Sequence, residues 1–130
     1  MSVERVNPLE LGPPSGFSHA VIGHGNVIFL AGQTAIDASG QITAPGIVAQ
    51  FEQALGRLLT ALQASGGTPD QLASVTVYVT DLADYRSHGR EIGAVWRQLA
   101  GRDYPAMAAV GVSRLWDEAA LVEVQGFAVI

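Results

Sequence analysis

The chain has 130 residues, enough for one domain with a real core, since folding at this size hides roughly two-thirds of the extended surface. Charged residues make up only 15% of it, against roughly 25% in an ordinary soluble domain, so a lone copy would leave much weakly polar surface in water and self-association is expected. The net charge of −5 comes with scattered arginines, no Lys and no Cys, which excludes a phosphate-tracking nucleic-acid surface, Schiff-base and pyridoxal-phosphate lysines, a P-loop lysine, thiol nucleophiles, disulfides and thiolate metal sites.

Residues 1–16 hold Pro8, Pro13 and Pro14 and are expected to form an extended N-terminal arm to a single domain spanning 1–130. No charged leader with an apolar core and cleavage site opens the chain, and the longest apolar run, Val27 to Ala31, is too short to span a bilayer. A cytoplasmic protein without a membrane association is therefore expected. Ser18 to Ile22 reads as a strand, His24-Gly25-Asn26 as a tight turn, and Val27 to Ala31 as a strand buried on both faces. Phe51, Leu55, Leu58 and Leu62 form one apolar stripe of a helix that begins after Pro45-Gly46 and ends at Gly66-Gly67. Thr68-Pro69-Asp70-Gln71 resembles a capping box. Val75, Val77 and Val79 alternate with Thr76, Tyr78 and Thr80 as a half-buried strand should. A second helix follows Asp81 to Asp84, with Tyr85, Ile92, Val95, Trp96 and Leu99 inward; strands over Ala106 to Val112 and Leu121 to Val129 close the chain. The order ββαβαββ predicts an α+β domain with two helices on one face of a sheet, whose other face is too rich in Val, Phe and Ala for water.

Chemistry-bearing residues are few. His19, His24 and His88 lack the spacing of metal ligands, and no Ser nucleophile elbow is present. With neither Lys nor Cys to anchor one, no metal or organic cofactor is expected. Glu123 stands out, a carboxylate between Val122 and Val124 with Gln125 on the same face. It is either a strand residue on a solvated face or in an ion pair, or a carboxylate held in a subunit cleft and suited to general acid–base work.

Phe17-Ser18-His19, Leu30-Ala31-Gly32-Gln33, Val77 to Leu82, Tyr104-Pro105-Ala106 and Val122-Glu123-Val124 occur in an order and spacing that resemble the Rid (reactive intermediate deaminase) family, also called YjgF-like, from about Asn7 to Val129. The resemblance implies a chorismate-mutase-like mixed sheet with two helices on one face. It also implies homotrimers with small-molecule clefts between subunits, and cofactor-free hydrolysis of 2-imino or 2-enamino acids to 2-oxo acids and ammonia. Carried over by position, Glu123 matches the family's catalytic Glu and Gly32 the glycine beside the cleft. Phe17 replaces a Tyr and Gly89 an Asn. Met107 stands where the family carries the Arg that clamps the substrate carboxylate, and a thioether cannot replace that bidentate contact. Arg86 and Arg90, beside Gly89, are candidates to substitute for it.

The expectation is therefore a trimeric hydrolase or tautomerase for a small enamine or imine. Glu123 would be its acid–base group, Phe17 and Met107 an apolar wall, and Gly32 a backbone contact. The alternative is a non-catalytic trimer that binds a metabolite or a protein in the same cleft. An isomerase of dicarboxylates would want convergent arginines, and Met107 argues against it.

Overall fold

The computed structural model describes residues 2–130. Six strands, β1 (Val3–Val6), β2 (Ala20–Gly23), β3 (Val27–Gln33), β4 (Leu72–Val79), β5 (Ala106–Gly111) and β6 (Val122–Val129), accompany three helices, α1 (Gly46–Ala64), α2 (Leu82–Ser87) and α3 (Gly89–Ala100). The main sheet has the order β3-β6-β4-β5, antiparallel except for the β4–β5 pair, which is parallel and leaves β5 at an edge.

The helical face is the core. Phe51, Leu55, Leu58 and Leu62 of α1 are each at most 1% exposed and share one buried core with Val75, Val77 and Val79 of β4 and Val122 and Val124 of β6. Full burial of each large side chain contributes roughly 1.5–3 kcal/mol, so the stripe read from the sequence holds the layers together. A Schellman motif ends α1: the amide of Gly67 donates to the Leu62 carbonyl at 3.0 Å and that of Gly66 to Gln63 at 3.0 Å, with Gly66 at φ +91°. In the turn that follows, the Thr68 amide donates to Gln71 Oε1 at 2.9 Å, as the capping box requires.

Three expectations need correction. The N-terminal arm is not simply extended: Val3–Val6 pairs antiparallel with β2 in a separate two-stranded sheet, and a 3-10 turn forms at Leu9–Leu11. The prolines begin only at Pro8, so the first residues keep the amide donors a ladder needs. Second, β3 is not buried on both faces of the protomer. Leu30 is buried, but Val27 is 52% and Phe29 75% exposed, because the helices cover the other side. Third, the second helix is two. α2 is capped by Asp81, whose Oδ1 accepts from the Asp84 amide at 3.0 Å, and it stops at His88 before α3 restarts.

Candidate functional site

The sequence-predicted residues fall into two groups on opposite sides of the sheet. On β6, side chains alternate: Val122, Val124 and Ala128 enter the core, while Glu123, Gln125 and Phe127 point to the helix-free face. Glu123 is paired in register with Tyr78 of β4, and the Tyr78 hydroxyl donates to Gln125 Oε1 at 3.3 Å. On its other flank the β3–β6 register shifts between Leu30 and Gln33. Gly32 falls inside that irregularity, and the Glu123 carboxylate occupies the space a side chain there would need: a Cβ on Gly32 would lie 2.9 Å from Glu123 Cδ and closer still to Oε2. Gly32 is required for this close approach rather than for an unusual φ. Half-buried, Glu123 has no hydrogen-bond or ion-pair partner among the described residues. The start of β6 is held by Gln50 of α1, which is 4% exposed. Its Oε1 accepts from the Leu121 amide at 2.8 Å and its Nε2 donates to the carbonyls of Ala44 and Ala119 at 3.2 and 3.3 Å.

The second group surrounds Met107. On edge strand β5 this residue is in register with Val75, so it faces the helical side. The segment carrying Phe17 is tied to the same edge: the Ser18 amide donates to the Pro105 carbonyl at 2.9 Å and Ser18 Oγ to Tyr104 O at 2.7 Å. Phe17, Tyr85 and Met107 share a cavity of about 250 Å³. Beside it a larger one, about 680 Å³, runs from Met107 along α3 and includes Tyr85, Gly89, Arg90 and Trp96. Burial pushes the Tyr85 phenol above its usual pKa. At the α2–α3 break, the Asp84 carbonyl accepting from His88 Nδ1 at 2.9 Å, aided by the Asp84 and Glu91 carboxylates and opposed by desolvation, raises the His88 pKa.

A single protomer thus brings Gly32 to Glu123, and Phe17 and Arg90 to Met107, but does not bring Glu123 to Met107. Arg86 lines neither cavity beside Met107. His19 is a structural residue: its Nε2 is 3.0 Å from the Gly12 carbonyl, its amide donates to Asn7 Oδ1 at 2.7 Å, and its ring meets Phe17 edge-on at 5.1 Å. Arg97 and Arg102, which also line the larger cavity, were not singled out in the sequence. The spacing Gly89, Gly93, Arg97, at every fourth residue of one helix, was a readable signal for the first; nothing local marks Arg102 or Gln50. Among the described residues no cluster of three His, Cys, Asp or Glu could hold a metal ion, and no helix is long and apolar enough to cross a membrane.

Comparison with known proteins finds the family described as Endoribonuclease L-PSP over residues 9–130. A RutC family protein of Pyrococcus horikoshii is 34% identical over 122 residues, 93% of this chain and 90% of that one. A 2-iminobutanoate/2-iminopropanoate deaminase of Capra hircus is 31% identical over 123 residues, 94% of this chain and 83% of that one. Among solved structures, a Rid-family protein of unknown function, YyfB from Yersinia pestis, superposes with a TM-score of 0.89 at 29% identity over 100% of both chains.

Proposed function

The chain belongs to the family described as Endoribonuclease L-PSP, within the YjgF, RutC and Rid group, and from that premise we propose that it is a cofactor-independent hydrolase of a small imine or enamine, working in clefts between the subunits of a homotrimer. The observation that carries the reading is the unpaired Glu123 carboxylate seated over Gly32. A carboxylate free of protein partners is available to move protons for a substrate. In the proposed reaction Glu123 takes a proton from water as oxygen bonds to the imine carbon, and passes it to nitrogen. It then takes the remaining hydroxyl proton and hands it to the amine as the C–N bond breaks. Imine and water leave as a carbonyl compound and ammonia, with the carboxylate restored. An enamine first needs one proton moved from its nitrogen to its carbon, a tautomerisation in which the same carboxylate takes the N–H proton and delivers it to carbon.

The trimer is supported by the helix-free face. Phe29 and Phe127 stack edge-on at 5.4 Å on a surface that no helix covers, continuous with exposed Val27. Joining copies through this face would let Glu123 and Gly32 of one subunit meet the Phe17–Met107 wall of another. Relatives named as 2-iminobutanoate/2-iminopropanoate deaminases support the chemistry. Met107 favours a substrate that is neutral or apolar where those with the Arg would hold a carboxylate, and it also favours the second reading, a non-catalytic trimer that binds a metabolite.

The test is coupled ammonia release from freshly generated imines, with light scattering on the same samples. Glu123→Gln keeps the shape but cannot take a proton, so turnover is expected to fall by about 10²–10⁴-fold with the assembly intact. Turnover that survives the substitution, or a mass of one chain at micromolar concentration, sinks the proposal. Absence of turnover by the unmodified protein on every imine tried selects the binding module.

A further inference from the structure

We propose that the cavity beneath α3 is an anion site, and that its ligand is a carboxylate with an apolar or aromatic body, held by Arg97 and Arg102 with Arg90 at the mouth. Three of the seven arginines of a chain with net charge −5 converge on this one cavity of about 680 Å³, and no Asp or Glu lines it. None of the three is engaged by a side-chain hydrogen bond or ion pair among the described residues; the one ion pair there joins His88 to Asp84. Arg5 and Arg57, by contrast, are fixed by hydrogen bonds to Tyr104 O and to Gln33 Oε1. These exposed guanidinium groups have no partner among the described residues, so their donors are free to make bidentate contacts with an anion.

The helix is cut to admit such a ligand. Side chains on a helix lean toward its N-terminus, so Arg97 reaches back over residue 93. Residue 93 is glycine, and the Arg97 guanidinium lies so close that a Cβ there would be 3.2 Å from Nη1. One turn earlier Gly89 leaves open space. The opposite walls are apolar: Met107 from β5, Phe51 and Tyr85 with ring centroids 6.4 Å apart, and Trp96 stacked on Tyr104. The Trp96 indole N–H is sealed from solvent with no acceptor, the single such buried side-chain donor among the described residues. A volume in the range of small-molecule sites, lined by three guanidinium groups together with aromatic rings and a thioether, fits an anion carrying a hydrophobic body.

This inference rests on the proposed cleft only for which end of the ligand reacts. With the apolar body against Met107, the charge lies away from the reacting carbon, so a substrate with a remote carboxylate fits better than a 2-imino acid. Binding itself is tested without turnover. Trp116 and Trp96 are the two tryptophans, and Trp116 is 94% exposed, so Trp116→Phe makes Trp96 the reporter. In that background, fluorescence titration compares 4-phenylbutanoate with its uncharged amide. The acid is expected to bind about tenfold tighter or more, because only it can accept charge-assisted bonds. Arg97→Gln combined with Arg102→Gln should erase the difference, while Arg114→Gln, which lines a separate cavity, should leave it. Equal affinity for acid and amide, or a difference that survives the double substitution or vanishes with Arg114→Gln, overturns the site. Ammonia release is not read here, so the deaminase proposal and the anion site fail on different measurements.

Discussion

Around Glu123 the protein offers one unpaired negative group and a bare glycine; beneath α3 it offers three unpaired positive groups and a wall of rings. The first region lies on the helix-free side of a central strand, gripped by neighbours on both flanks. The second lies between an edge strand and a helix that starts at a break. The contrast separates two tasks: proton transfer needs a carboxylate whose position does not drift, whereas recognition of an anion needs donors with reach. Neither region contains what the other supplies.

The largest test of that separation is Met107→Arg, which adds a cation on the strand to the three already beneath α3. Hydrolysis of short 2-imino acids is expected to rise about a hundredfold, since misorientation alone has an effect of that size. Coupled ammonia release measures it, and Glu123→Gln added to Met107→Arg should remove the gain. No gain in an intact assembly assigns the protein to the binding-module reading. Gln50→Ala probes the opposite side. It strands the Leu121 amide at the entrance to β6, two residues before Glu123. A loss of about 1–3 kcal/mol in urea unfolding is expected for a buried donor left without its acceptor. Turnover should drop with it while binding of 4-phenylbutanoate stays unchanged.

The smallest effect belongs to His88, on the α3 side. Its pKa is raised in the folded state by the Asp84 carbonyl and the nearby carboxylates. The folded protein therefore holds the proton more tightly than the unfolded chain. The stabilisation is complete below the unfolded value of about 6.5 and fades as pH rises through the folded one. Thermal unfolding of His88→Gln from about pH 5.5 to 8 should lack that part of the slope. A slope identical to that of the unmodified protein would show that the α2–α3 break does not respond to this proton.

Much of the frame was legible because it is local. The four-residue recurrence of Phe51, Leu55, Leu58 and Leu62, the double glycine after it and the alternation at Val75, Val77 and Val79 each state their geometry within a dozen residues. What stayed hidden depends on distant partners. Val3–Val6 becomes a strand only because residues 20–23 come alongside. Phe29 and Leu30 are neighbours in one apolar run, yet one is exposed and the other buried, because the helices settle on one side. Gln50 and Leu121 meet across 71 positions. For the site, an isolated Glu in an apolar strand drew notice by itself, but its seat over Gly32 was suggested only by family resemblance. Of the arginine wall, Arg90 was legible beside Gly89, whereas Arg102 was not, because it reaches the cavity from beyond the end of α3.

The central place of β6 also bears on how such a protein can change over generations. A strand paired on both sides tolerates few replacements, because alternate residues enter the core and both flanks carry ladder hydrogen bonds. An edge strand and the outer turns of a helix carry no such double obligation. Residues 89, 97 and 102 can therefore be exchanged while residue 123 keeps its setting. Under the proposed function, variation in what is bound beside an unchanged Glu123 would follow from one property of the sheet, the order in which its strands lie.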